Sequence, residues 1–154
     1  MNFESMNLQL NTLFDNIEGK WLSHKTIYYL NTKKININKC QKQIIRLKNL
    51  SLENNGYICR YKNLSDQEIV YNYIPTTNKY STFGILQKIY NNCIKEYQFQ
   101  LKDNNNLKIR YIRQDIKYTE YIYTVNTNFR ISIVIIKRLN QYIAICFNSE
   151  IKII

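Results

Sequence analysis

The sequence predicts an all-β fold: a ten-stranded antiparallel up-and-down barrel preceded by one N-terminal α-helix. Three observations predict it. From residue 20 onward, short segments rich in β-branched and aromatic residues follow one another, separated by polar breaks that carry asparagine. Before them, apolar residues recur at a helical period instead. The breaks are short, so each strand pairs with the next. An open sheet of that many strands would curl, and closing it removes its exposed edges.

Phe3, Met6, Leu10, Leu13, Phe14 and Ile17 recur at helical spacing among Asn2, Glu4, Asn7, Asn11 and Asp15, which predicts an amphipathic helix over 3–17 that Gly19 ends. Its apolar stripe needs a barrel end or a sheet face to cover. Gly19-Lys20-Trp21 then opens the first strand. Strands are expected over 20–31, 41–50, 56–62, 67–73, 82–89, 95–102, 107–114, 117–125, 129–138 and 142–151. With one proline and three glycines in the chain, asparagine must supply most turns, as its short side chain tolerates left-handed backbone. The breaks Glu53-Asn54-Asn55-Gly56, Asp103-Asn104-Asn105-Asn106 and Asn126-Thr127-Asn128 suit tight hairpins. The 154 residues suit one domain over 1–154, helix 3–17 and barrel 20–151, with no repeat or linker.

Composition narrows the function classes. Apolar residues at 45% and charged ones at 21% are those of a folded chain, far from disorder. The net charge of +11 points to an anionic partner: nucleic acid, a membrane surface or a carboxylate-bearing ligand. The same lysine excess follows from A/T-rich codons, since Asn, Ile, Lys and Tyr dominate the chain. Cys40, Cys59, Cys93 and Cys146 are dispersed, without a C-x-x-C, and one histidine cannot complete a zinc cluster; buried free thiols in a reducing compartment are expected. Met1 to Leu10 lacks the cationic start and apolar core of a secretory signal, and no run nears the ~20 apolar residues of a membrane span. The glycines of a phosphate loop or dinucleotide site are missing.

The C-terminal strands carry the most informative polar pattern. Alternation puts Arg130, Ser132 and Val134 on one face and Phe129, Ile131 and Ile133 on the other, and pairs Asn148 with Glu150 on one face of the next strand. With Leu139 to Gln141 as a three-residue loop, Arg130 lies opposite Glu150; with Val125 to Thr127 as another, Glu120 lies opposite Ser132. An arginine bracketed by two carboxylates results. Inside a cavity its planar fork would bind a carboxylate through two charge-assisted hydrogen bonds. On the outside it is an ordinary cross-strand ion pair. The face with Phe129, Ile131, Ile143 and Ile145 is the more apolar, so hydrophobicity alone would turn that face inward and Arg130 outward. His24 reads as a surface residue, Trp21 as core, and tyrosines facing a cavity would stack on a flat conjugated ligand.

Trp21-Leu22-Ser23-His24-Lys25-Thr26-Ile27-Tyr28, then Glu120, Asn128-Phe129-Arg130 and Phe147-Asn148-Ser149-Glu150-Ile151-Lys152 resemble in order and spacing the S-type (CpcS/CpeS-like) phycobiliprotein lyases, whose motifs read W-x-S-Q-R-T-x-Y, N-L-R-x-R and F-x-S-E-I-R. The middle of the chain matches loosely through Tyr80, Gly84 and Leu86. The resemblance implies a lipocalin-like ten-stranded barrel that binds a phycobilin, phycoerythrobilin or phycocyanobilin, as substrate, with no permanent cofactor or metal. It also implies that the protein assists thioether attachment of the bilin to a cysteine of an apo-phycobiliprotein subunit. Catalytic roles carry over to Glu120, Arg130 and Glu150, and ligand contacts to Trp21, Ser23, Lys25, Thr26, Tyr28, Ser132 and Asn148. Arg130, with Lys25, would hold a propionate, while the two glutamates would accept pyrrole N–H groups. His24-Lys25 stands where Gln-Arg is usual, and Ser132 where a second arginine is common. No nucleic acid and no membrane insertion are expected, and a homodimer is compatible. An A/T-biased gene without a transit peptide suits an organelle-encoded protein of the plastid stroma, with the cyanobacterial cytoplasm as the alternative. A non-catalytic carrier of bilins or other carboxylated ligands, and a basic β-protein that binds nucleic acid, are the rival readings.

Overall fold

The structure is a computed structural model that describes residues 3–47, 55–62, 67–76, 83–103 and 106–153. Helix α1 (Phe3–Ile17) leads into β1 (Gly19–Tyr29), β2 (Lys34–Arg46), β3 (Asn55–Tyr61), β4 (Glu68–Pro75) and β5 (Phe83–Tyr90). β6 (Cys93–Asp103), β7 (Asn106–Arg113), β8 (Ile116–Asn126), β9 (Phe129–Arg138) and β10 (Gln141–Ile153) follow. Every strand pairs antiparallel with its sequence neighbour, and β10 returns to β1 to close the barrel. Tyr80, Glu53, Asn54, Asn104 and Asn105 lie outside the described residues.

β2 begins at Lys34, well before the expected residue 41. Lys34 to Cys40 alternates isoleucine with polar residues, pairing Ile35 with Tyr28 and Ile37 with Thr26 of β1. Its isoleucines are exposed, and Asn38 and Cys40 line a cavity, so the usual apolar-inside signal is inverted. Asn55 and Gly56, expected in a turn, belong to β3 and pair with Tyr73 and Asn72. A Cβ on Gly56 would lie 1.9 Å from the Tyr71 carbonyl oxygen. Gly56→Ala should therefore lower stability by at least ~1–3 kcal/mol, read from a urea midpoint shift, because only backbone movement can relieve the overlap.

Asparagine does supply turns. Asn91-Asn92 has φ of 48° and 61°, and Leu139-Asn140 has 48° and 63°, the left-handed geometry of two-residue hairpins that match strand twist. Gly19, with φ of 139°, makes the exit from α1 into β1 in a conformation that side chains resist.

α1 plugs one end of the barrel. Leu10, Leu13, Phe14 and Ile17 bury against Trp21, Ile44, Tyr57, Tyr73 and Phe99. Arg46 fastens the helix from β2, bonding Asp15 and donating to Asn11 Oδ1 at 2.7 Å, while its backbone N–H donates to Glu18 Oε2 at 2.7 Å. The apolar core thus fills the helix-capped half of the barrel. The other half is hollow and polar.

Candidate functional site

The hollow measures about 520 Å³. Lining residues near the helix, such as Ile44, Tyr57, Tyr73 and Leu86, are buried, whereas Lys25, Asn38 and Gln67 toward the far end are exposed, so the cavity opens away from α1. Charge is distributed unevenly inside. Lys25, Lys42, Lys88 and Arg130 face two carboxylates, Glu120 and Glu150.

Glu150, 3% exposed, is the hub of the floor. Arg130, directly opposite on β9, donates its Nε–H to Oε2; Lys42 Nζ, from β2, donates to Oε1; Asn148 Nδ2 donates to Oε1 at 2.9 Å. Ser23, opposite Glu150 on β1, sends its hydroxyl to Asn148 Oδ1 at 2.8 Å and so orients that amide. Burial alone would raise the Glu150 carboxyl, but Arg130 and Lys42 outweigh it and hold it at about 2. Burial likewise opposes the charge on Arg130, and Glu150 overcomes it, pushing the guanidinium above its ordinary range. Beneath, the Arg130 guanidinium lies 5.1 Å from the Trp21 ring centre, and Trp21 Nε1 donates to Ile17 O at 2.8 Å. The helix, the tryptophan and the arginine form one stack.

Glu120 sits apart from this hub. It lies opposite Val134, not Ser132, because the β8–β9 connection is tighter than a three-residue loop and a register shift follows between Thr124 and Asn126. Val134 is four residues along β9 from Arg130, about 13 Å at strand rise, so the two carboxylates do not bracket the arginine. Glu120 accepts from the Tyr118 hydroxyl at 2.9 Å. Burial, and then Glu120 itself, push Tyr118 well up, keeping it a protonated donor. The expected Arg130–Glu150 register holds for a compensating reason. Its loop has two residues rather than three, with Gln141 opposite Arg138, and the shift between Tyr142 and Ala144 restores the pairing.

A tyrosine wall faces the charges. Tyr57 and Tyr71 stack at 4.9 Å between centroids, and Tyr97 meets Tyr118 edge-on at 5.9 Å. Burial pushes Tyr57 up to about 12 and moves Tyr61, Tyr71 and Tyr73 upward too, so these rings stay neutral. Lys88 is pulled down by burial, which Glu120 partly offsets.

Ser23, Lys25, Ser132, Asn148, Glu120, Arg130 and Glu150 line the cavity, and Trp21 supports its floor. Thr26 and Tyr28 do not: alternation from Trp21, Ser23 and Lys25 turns them to the outer face beside Phe147 and Ile145. This corrects their assignment as ligand contacts. His24 is exposed on that same outer face, opposite Ser149. Cys59 and Cys146 are buried and Cys40 half-buried, but Cys93 is exposed, against the expectation of buried thiols. Sequence reasoning missed Lys42 and Lys88. The signal was parity: Lys42 shares a face with Ile44, and Lys88 with Leu86. Among the described residues, no three potential metal ligands converge, and no helix is long and apolar enough to cross a membrane.

A closed ten-stranded barrel, capped by a helix at one end and hollow at the other, is a lipocalin-like ligand-binding architecture. No family model matches the chain. It is 35% identical over 146 residues to a chromophore lyase CpcS/CpeS homolog of Gracilaria tenuistipitata var. liui, covering 92% of this chain and 95% of that one. It is 31% identical over 159 residues to a chromophore lyase CpcS/CpeS homolog of Porphyra purpurea, covering 94% and 99%. The chain belongs to the CpcS/CpeS chromophore lyase family. Its fold is similar to that of the S-type phycobiliprotein lyase CPES of Guillardia theta, with a TM-score of 0.63 at 10% identity over 100% of this chain and 99% of that one. A protein of unknown function from Nostoc punctiforme shares the fold at a TM-score of 0.62 and 9% identity, over 91% of this chain and 49% of that one.

Proposed function

We propose that this chain binds a phycobilin in the barrel and promotes thioether formation between that bilin and a cysteine of an apo-phycobiliprotein subunit. The observation that carries the reading is the cavity's division of labour: four cations against two carboxylates, facing a wall of neutral tyrosines. A linear tetrapyrrole offers the complement, a flat conjugated body with two propionates and a row of pyrrole nitrogens. Arg130 and Lys42 are largely committed to Glu150, which leaves Lys25 and Lys88 for the propionates. Glu120 accepts one hydrogen bond from Tyr118 and has lone pairs left for pyrrole N–H donors.

The addition is redox-neutral. The thiol sulfur forms the C–S bond at an exocyclic alkene carbon of the bilin, the alkene electron pair takes up a proton at the neighbouring carbon, and the thiol loses one. Positioning and exclusion of wrong addition account for the catalysis, as the nucleophile belongs to the acceptor. The plastid stroma is the setting this reading assigns. Mixing the chain with phycoerythrobilin or phycocyanobilin should shift the bilin's absorbance, and adding an apo-subunit should give a faster, cleaner adduct than the spontaneous reaction. Absence of both effects would reject the proposal.

A further inference from the structure

The rim of the open end carries features that the cavity chemistry does not use. Lys33, Lys34, Arg113, Lys117, Lys137 and Arg138 all lie within three residues of its hairpin tips. Among the described residues, the carboxylate paired with one of these six is Asp115, 3.6 Å from Arg138. Lys117 and Lys137 sit directly opposite each other on β8 and β9, an unfavourable like-charge pair.

Apolar side chains stand among these cations. Across the outer face runs a row, each residue opposite the next: Ile112, Lys117, Lys137, Tyr142. Ile112 is 67% exposed and Tyr142 50%, with Lys137 Nζ 4.5 Å from the Tyr142 ring centre. Beside the row, the Leu139 N–H donates to Asp115 O at 3.1 Å and ties two tips together. Leu139 is 74% exposed and holds φ of 48°, a conformation that the Asn91-Asn92 hairpin fills with asparagine. A solvent-facing leucine in left-handed backbone is disfavoured twice, and such strain concentrates at functional positions.

We infer that Ile112, Lys117, Lys137, Leu139 and Tyr142 form the docking surface for the acceptor protein, whose reacting cysteine is set in an acidic surface with an apolar spot. The inference rests on the lyase reading, because an acceptor thiol must reach the cavity through its open end. An anionic partner relieves the Lys117–Lys137 repulsion, and an apolar contact covers Leu139 and Ile112. A single-stranded nucleic acid would call instead for a series of exposed stacking aromatics among the cations, where this row carries one, Tyr142, beside the aliphatic Ile112 and Leu139.

The test uses Lys117→Glu combined with Leu139→Asn. The first change creates an opposite-charge pair with Lys137 and the second suits the backbone, so folding is preserved; both lie outside the cavity, so bilin affinity is preserved. Bilin binding is read by absorbance, and binding of the bilin-free chain to a panel of labelled apo-phycobiliprotein subunits by fluorescence anisotropy at low salt. Subunit affinity should fall about tenfold in the variant, and the native affinity should weaken with added salt. Unchanged affinity in the variant, no complex with any subunit, or tighter binding to an oligonucleotide than to the subunits would each overturn the inference. Failure of the native chain to bind bilin would instead reject the cavity reading, while the anisotropy result stands by itself.

Discussion

Glu150→Gln should be the most destabilising single change in the cavity, by about 3–5 kcal/mol near neutral pH. The carboxylate neutralises both Arg130 and Lys42 at a site where their side chains are 11% and 10% exposed. The glutamine amide leaves two buried cations facing each other. The depression of Glu150 from 4.5 to about 2 is worth about 3 kcal/mol by linkage. Since the folded value lies below the unfolded one, this stability is present in full above pH 4.5 and is lost as pH falls toward 2. Denaturant titrations of both proteins across that window check it: the gap between native and variant should close with acid. A gap that stays constant with pH would mean that the carboxylate's charge is not what holds the floor.

Glu120→Gln should leave folding nearly intact and slow bilin transfer about a hundredfold, the scale on which a positioned acid–base group acts. The glutamine oxygen can still accept from Tyr118, so the local hydrogen bond survives. What disappears is a negative charge in a cavity where cations outnumber carboxylates. Single-turnover adduct formation, with bilin absorbance followed alongside, separates chemistry from binding. A transfer rate equal to that of the native chain would remove Glu120 from the mechanism and favour a carrier role.

The strand count, the helix and the common face of Asn148 and Glu150 were legible in the sequence because each depends on local patterning: β-branched runs, a 3.6-residue period, and alternation within a strand. The Arg130–Glu150 pairing matches expectation only because the shift between Tyr142 and Ala144 offsets a turn one residue shorter than expected. The position of Glu120 was not legible. Register across β8 and β9 depends on one residue in a turn and one shift near Asn126, and neither leaves a compositional trace. Lys42 was also hidden, since it comes from β2 and reaches Glu150 only once β1 lies between β2 and β10.

The direction of the Arg130 face shows the division most clearly. By itself the sequence determined which side chains travel together: Arg130 with Ser132, Ser23 with Trp21 and Lys25, Thr26 with Tyr28. Only the closed barrel decided which set points inward, and it chose the less apolar one on β9 and β10, leaving Phe147 and Ile151 46% and 56% exposed. Hydrophobic burial could not make that choice, because α1 and the tyrosine strands already supply the core at one end of the barrel. The remaining interior is a polar cavity, where the buried Glu150 carboxylate accepts from Asn148 of its own strand but owes its charge balance to Arg130 across the β9–β10 hairpin and to Lys42, which only barrel closure brings to it.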